Sequence, residues 1–456
     1  MSDNSSIFSF PTTSSHRSLA TAWLALALSS LIGAGLVVLL IIIARTPVVH
    51  DLIPWAGSFK TALVIHVDLS VLVWFLSFAG LFAVIAMPKS AVNAGKVSLW
   101  VAVLGALLIT FSPFLGEDAP FLNNYVPVLA NGAFFSGLTL FVAGFCAIAI
   151  LLCLKHQTQQ QSEKLVVRFG VTSGIVIALL SVVSFIYTYL AIPDQMDRNS
   201  EIYFETLFWG PGHILQFTHT QLMMVAWVWL ATVITKKPVA KPGTLLLMFI
   251  IGAFPAFLGP VIHGIYPVDS LEHRLAFTDL MYYGGGIAPL LAGVLVFRAI
   301  YSNQQVAEEN RSLRMALLYS LVLFGVGGWI GFMINAVNVT IPAHYHGSIV
   351  SITLAYMGVT YHVLPGLGYR RPSIKWANRQ LILYSTGSLL HIFGLAWSGG
   401  HGVQRKTAGA AQGLESMADK IPMWIMGLGG FLAVVGGVLF LVLAFRALSS
   451  PVEKTE

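Results

Sequence analysis

Two histidines, His344 and His346, stand near the start of PAHYHGSIVSITLAYMGVTYHVLPG (residues 342–366), a stretch that is otherwise largely apolar. A neutral imidazole offers a lone pair that ligates metals. On a helix, positions i and i+2 differ by about 200°, so the two rings leave from opposite faces and do not easily share one ion. Each can instead serve a different large planar cofactor, and haem iron takes axial ligands of this kind. A helix wedged between two haems is what the spacing predicts.

Those rings need elements to carry them. The 456 residues are 56% hydrophobic and 10% charged, against about a quarter charged in a soluble domain, so the chain reads as a membrane protein. Runs of about twenty apolar residues cross the hydrocarbon, and twelve can be placed, near 19–45, 58–87, 97–115, 127–155, 166–192, 202–235, 244–266, 274–300, 313–338, 343–369, 377–399 and 423–446. None has a strand pattern, so the expected fold class is an all-α integral membrane protein. The connections are short, and no soluble domain or internal repeat stands out. Residues 1–456 are therefore taken as one domain, with cytoplasmic tails at 1–18 and 447–456. The first run is long and lacks a small-residue cleavage pattern, so it is read as a retained span rather than a signal peptide.

With the N-terminus in the cytoplasm, most of the 25 Lys+Arg fall on the cytoplasmic side; Arg45, Lys60, Arg198, Arg274, Arg405, Lys406 and Lys420 remain outside. That asymmetry follows the positive-inside rule and gives a multi-pass protein of the cell inner membrane with both termini cytoplasmic. It also accounts for the net charge of +6 without a nucleic-acid partner. Cys146 and Cys153, seven apart in one span, support neither a disulfide framework nor a thiolate metal site.

Alternating the spans places His66, His213, His263, His344 and His346 in one outer layer. Singly, each would read as an ordinary helix-contact histidine. Five at one depth read as a functional interior, since ionisable groups within spans seldom face lipid.

These residues carry a resemblance. AHYHGSIVSITLAYMGVTYHVLP looks like the tenth helix of subunit I of the haem–copper oxidoreductases, the superfamily of cytochrome oxidases and nitric oxide reductases; LFWGPGH (207–213) resembles its sixth-helix signature, and LVIHVDLSVLVWF its second helix. The twelve-span count agrees. The resemblance implies a cytochrome oxidase subunit I-like bundle with two haems, type b favoured, and a second metal, copper or iron. It implies His66 and His346 as axial ligands of a low-spin haem, His344 as the proximal ligand of a high-spin haem, and His213 and His263 as ligands of the second metal facing that haem's open side. Arg405 and Lys406 would pair with haem propionates. The implied substrate is a diatomic gas, O2 or NO, with electrons from a partner subunit or a cytochrome c on the outer face.

The sequence also departs from the family pattern. GPVIHGIY supplies one histidine, flanked by Ile262 and Gly264, where the family usually has a neighbouring pair. Two histidines under-coordinate copper or iron, so a third ligand must come from His219, Asp269, Glu272 or His273, each of which also reads as a plain interfacial group, or the second metal is weak or missing. His219 follows His213 by about 240° around the helix, which argues against it.

Oxygen-reducing members place a tyrosine where this chain has Phe217 or Phe257, a departure that leans toward nitric oxide; Tyr266, Tyr282 and Tyr283 are weak substitutes. No inner proton wire is visible. Asp68, Asp279 and Glu205 are expected to be buried in the outer half, where they deliver protons, orient haem groups or act as structural residues. Gln216 reads as a helix-contact group, and His362, His391 and His401 receive no catalytic role. Two rival classes remain: a transporter, disfavoured because no pair of broken helices occupies corresponding halves, and a non-catalytic haem-binding sensor or electron carrier.

Overall fold

Twelve helices among the described residues are long and apolar enough to cross a membrane: α1 Ser14–Arg45, α2 Phe59–Ala86, α3 Lys89–Phe114, α4 Gly132–Leu154, α5 Lys164–Ala191, α6 Glu201–Thr235, α7 Pro242–Ile265, α8 Leu271–Tyr301, α9 Glu308–Phe332, α10 Thr340–Gly366, α11 Ile374–Gly400 and α12 Met417–Leu448. The structure is a computed structural model that describes residues 10–49, 58–116, 119–154, 162–302 and 305–451. Lys155, Lys454 and parts of both tails lie outside the described residues. The expected twelve spans and all-α class match this element order. The most buried spans are α2, α6 and α10, which carry four of the five layer histidines.

Contacts gather the chain into two compact units, one of residues 1–30 and 67–303, the other of residues 31–66 and 304–456. In the first, α3 and α4 cross at glycines. A Cβ on Gly105 would collide with the Phe141 nitrogen, and one on Gly144 would come within 2.5 Å of the Ala102 nitrogen, so main chain meets main chain. Such small-residue crossings replace the hydrophobic drive that lipid removes.

The fourth span begins at Gly132 rather than 127, because residues 119–131 fold back as a small hairpin. In it β1 (Pro120–Phe121) pairs antiparallel with β2 (Val128–Leu129). Asn123 builds its turn: its Oδ1 accepts from Tyr125 N at 3.0 Å and from Val126 N at 2.9 Å, and its Nδ2 donates to Val126 O.

Three spans are irregular. α2 contains a π-helical turn at Asp68–Val73. α7 tightens to a 3-10 segment at Phe254–Leu258, where Pro255 lacks an N–H, and α8 is interrupted between Gly284 and Ile287. The π turn leaves α2 a continuous helix and the two breaks lie in adjacent spans, so among the described residues no pair of broken helices occupies corresponding halves and the transporter reading gains nothing.

In the second unit α9 packs on α10 and α11 on α12. α10 starts three residues before the expected 343. Asn338 Oδ1 accepts from Thr340 N at 2.8 Å, and its Nδ2 donates to Gly399 O of α11 at 3.0 Å. That anchor puts His344 and His346 in the second turn of α10.

Candidate metal and haem sites

The second unit holds His66, His344, His346 and His391, and each ring is oriented in the same way. His66 Nδ1 donates to Ala34 O at 3.1 Å, His344 Nδ1 to Gly327 O at 2.7 Å, His346 Nδ1 to Pro342 O at 2.7 Å, and His391 Nδ1 to Met426 O at 3.0 Å. A carbonyl oxygen can only accept, so each Nδ1 carries the proton. In the neutral ring the lone pair is then on Nε2. Metal-bound histidines are held this way by their outer partners.

His344 and His346 find those partners in different places, one across on α9 and one on α10 itself, as opposite faces require. The α9–α10 crossing explains the first. A Cβ on Gly327 would come within 2.6 Å of Ser348 N, and one on Gly331 within 2.7 Å of His344 Nδ1. Two glycines a turn apart therefore let α9 approach closely and leave space for the ring.

His391, to which the sequence assigned no role, stands on α11 with its ring centroid 4.9 Å from that of His346. Arg45, which received no role beyond its side of the membrane, is 8% exposed. Its guanidinium reaches Gln412 Oε1 at 3.4 Å and Gln404 O at 3.3 Å, which ties it to the loop carrying Arg405 and Lys406. Among the described residues the ion pairs are Arg198–Asp194, Arg371–Glu309 and His401–Asp419, so none of the described carboxylates pairs with Arg45. A buried charge left that way is costly unless an anion joins it. Arg405 and Lys406 are half-buried, with Lys406 in the left-handed region at φ 60°. His362 lines a small cavity with Glu309, Tyr361 and Arg371.

The first unit gathers His213, His263 and His273 around Phe277, whose ring centroid lies 5.7, 5.2 and 4.9 Å from theirs. Both glycines of LFWGPGH make this possible. A Cβ on Gly210 would sit 2.9 Å from His263 Cε1, and one on Gly212 would run into Tyr125 Cγ.

His213 Nδ1 donates to Trp209 O at 2.7 Å, and its Nε2 accepts the Tyr125 hydroxyl at 2.8 Å. His263 Nε2 lies 2.6 Å from Ser184 Oγ, and its Nδ1 lies 3.1 Å from His273 Nε2. His273 is placed by a helix cap: Ser270 Oγ accepts its main-chain N–H at 3.1 Å at the start of α8.

Of the candidate third ligands, only His273 reaches His263. His219 packs its ring on Phe75, centroids 4.9 Å apart, and Asp269 and Glu272 are exposed. Among the described residues no group of three or more His, Cys, Asp or Glu side chains is close enough as it stands to hold a metal ion.

Several expectations need correction. Asp279 is exposed rather than buried. Glu205 is half-buried and takes the structural role among those expected of it. Its carboxylate accepts from Asn124 N at 3.0 Å and from Asn124 Nδ2 at 2.5 Å, which clamps the hairpin to α6. Asp68 is buried as expected, with both oxygens lacking a partner. Tyr282 and Tyr283 are 52% and 68% exposed on α8. The phenol beside His213 is that of Tyr125, which the sequence reading missed.

The Glu205 clamp has a measurable consequence. Glu205→Ala removes two hydrogen bonds to a charged acceptor and is expected to destabilise the hairpin by about 1–3 kcal/mol. Amide exchange across residues 119–131 should then rise well above that of α6. Unchanged protection would show that the clamp holds nothing.

A family model described as Cytochrome C and Quinol oxidase polypeptide I matches residues 18–447. The chain belongs to that family. It is therefore a multi-pass membrane protein, and the haems and second metal that members of the family hold are the groups its histidines must be judged against. An uncharacterised protein of Rickettsia prowazekii is 31% identical over 95% of this chain and 97% of its own length. An uncharacterised protein of Aquifex aeolicus is 28% identical over 76% of this chain and 85% of its own. The cytochrome c oxidase subunit 1 of Thermus thermophilus is 24% identical over 90% of this chain and 80% of its own.

The donor set fits haem. His66, His344 and His346 already have the tautomer an iron-bound imidazole needs. The facing nitrogens of His263 and His273 are spaced as a small metal ion would need, whereas the Nε2 of His213 is engaged by the Tyr125 hydroxyl.

Proposed function

We propose that the chain is the catalytic subunit of a respiratory haem–copper type terminal oxidoreductase. In this reading it lies in the cell inner membrane with both termini cytoplasmic, and the continuous match over residues 18–447 supports treating it as one twelve-helix domain. A donor subunit or a cytochrome c delivers electrons on the outer face, and nucleic acid plays no part. His66 and His346 hold a low-spin haem, His344 holds a high-spin haem, and the second metal is held by His263 with His213.

The observation that carries the reading is the placement of His344 and His346 on opposite faces of α10, each with Nδ1 steadied by a main-chain carbonyl, as that of His66 is. A haem held by His66 and His346 would pass electrons on, and one held by His344 would offer a place for the gas to bind. The chain's own residues supply the rest. Gly327 O fixes the His344 ring, while Arg45, Arg405 and Lys406 offer positive charge to the haem acid groups. For His213 to bind metal, its Nε2 must exchange the Tyr125 hydroxyl for the ion.

Tyr125 bears on the gas. Phe217 and Phe257 lean toward nitric oxide only while no phenol is near, and the Tyr125 hydroxyl is 2.8 Å from His213 Nε2. A phenol at that place can give up a proton and an electron, which cleavage of dioxygen requires, and this supports O2 as substrate.

The test is consumption of O2 and of NO by the purified chain under one reductant. Rapid loss of O2 is expected. Loss of NO alone would make the chain a nitric oxide reductase. A haem-loaded chain that consumes neither gas would be the electron carrier that the engaged Nε2 of His213 favours.

A further inference from the structure

We propose that His273 is a ligand of the second metal, paired with His263 in place of the second histidine that the seventh span lacks; this rests on the haem–copper type reading above.

The ring nitrogens that face each other, His263 Nδ1 and His273 Nε2, are 3.1 Å apart. Two imidazole nitrogens bound at about 2.0–2.1 Å to one ion are roughly 2.9 Å apart at a right angle and roughly 3.3 Å apart at the tetrahedral angle. The observed spacing falls between them. A plain hydrogen bond between two histidines has the same length, so the surroundings must decide.

They favour a ligand pair. His263 is oriented from its far side, where Nε2 meets Ser184 Oγ at 2.6 Å and its carbonyl oxygen accepts the Tyr187 hydroxyl at 3.0 Å. Donating Nε2–H to Ser184 leaves the lone pair on Nδ1, the nitrogen turned toward His273. That is the outer-partner arrangement of a metal-bound histidine.

His273 is 0% exposed, and its Nδ1 has no hydrogen-bond partner. Its polar function is therefore carried by Nε2, which faces His263. The Ser270 cap fixes its main chain, and Phe277 packs against both rings. The His263 ring is thus oriented by a polar neighbour and the His273 ring by packing alone, and His273 binds an ion by moving its proton from Nε2 to Nδ1.

The full-length chain is purified, haem is measured spectroscopically and non-haem metal by elemental analysis, and Cu(II) is then titrated with electron paramagnetic resonance as the readout. The wild-type chain is expected to hold haem and one further metal ion. His273→Ala should keep the haem and lose that ion at least tenfold, His219→Ala should keep both, and Ser184→Ala should weaken Cu(II) binding by about 10-fold.

His273→Ala that retains haem and wild-type metal content would overturn the proposal, as would a haem-loaded wild-type chain that binds no Cu(II). If His273→Ala fails to fold, Ser184→Ala with unchanged Cu(II) affinity overturns it instead. A wild-type chain without porphyrin is a different failure, that of the oxidoreductase reading itself.

Discussion

His346→Ala is expected to strip the low-spin haem from the purified chain and to lower gas consumption by at least about 100-fold. Loss of a metal ligand's outer partner commonly costs about 10–100-fold, and here the proposed ligand itself is removed. The ring is half-buried and makes one hydrogen bond, to Pro342 O in its own helix, so its truncation should leave the packing of α10 intact. A reduced-minus-oxidised spectrum is expected to lose its low-spin component, while the haem assigned to His344 remains. His391, close to His346 yet steadied by Met426 O, provides a control, and His391→Ala should keep both haems. An unchanged spectrum in His346→Ala would remove His346 from the ligand set.

The second large effect concerns a residue that touches no cofactor. Gly327→Leu would drive a side chain into the main chain of α10, 2.6 Å from Ser348 N and 2.8 Å from the Gly347 carbonyl carbon. Backbone cannot rotate away as a side chain can, so the helices must separate. Overpacking of this kind costs about 1–3 kcal/mol, and the Gly327 carbonyl that steadies His344 moves with the helix, adding about 1 kcal/mol for the lost hydrogen bond. The expected outcome is a lower melting temperature together with loss of the high-spin haem. Gly328→Leu is the matched control, because a Cβ there meets nothing within 4 Å. Equal behaviour of the two variants would mean that the α9–α10 crossing does not hold His344 in place.

What the sequence reveals and what it hides divide along physical lines. A span is legible because lipid forces every backbone group to be satisfied within its own helix, so a run of twenty apolar residues has little choice of structure. The i and i+2 placement of His344 and His346 is legible too, because helix geometry alone separates their faces. Tyr125 is hidden for the opposite reason. It reaches His213 across 88 residues of sequence, through an Asn123 turn and a Glu205 clamp that no periodicity records. His273 was legible only as one of four polar candidates. What singles it out is a connection of five residues between α7 and α8 and the Ser270 cap, which together turn the chain back onto His263. Asp279 shows the reverse error: an acidic residue in an apolar run looks buried until the helix rotation is known, and it faces outward.

The most direct measurement is resonance Raman and paramagnetic resonance of the purified full-length chain, which report porphyrin content and the coordination of each iron. The expected spectrum contains two haems, one six-coordinate with two imidazoles and one five-coordinate with a single imidazole. A chain without porphyrin, or one whose irons are unchanged when His344 and His346 are both replaced by alanine, would contradict it.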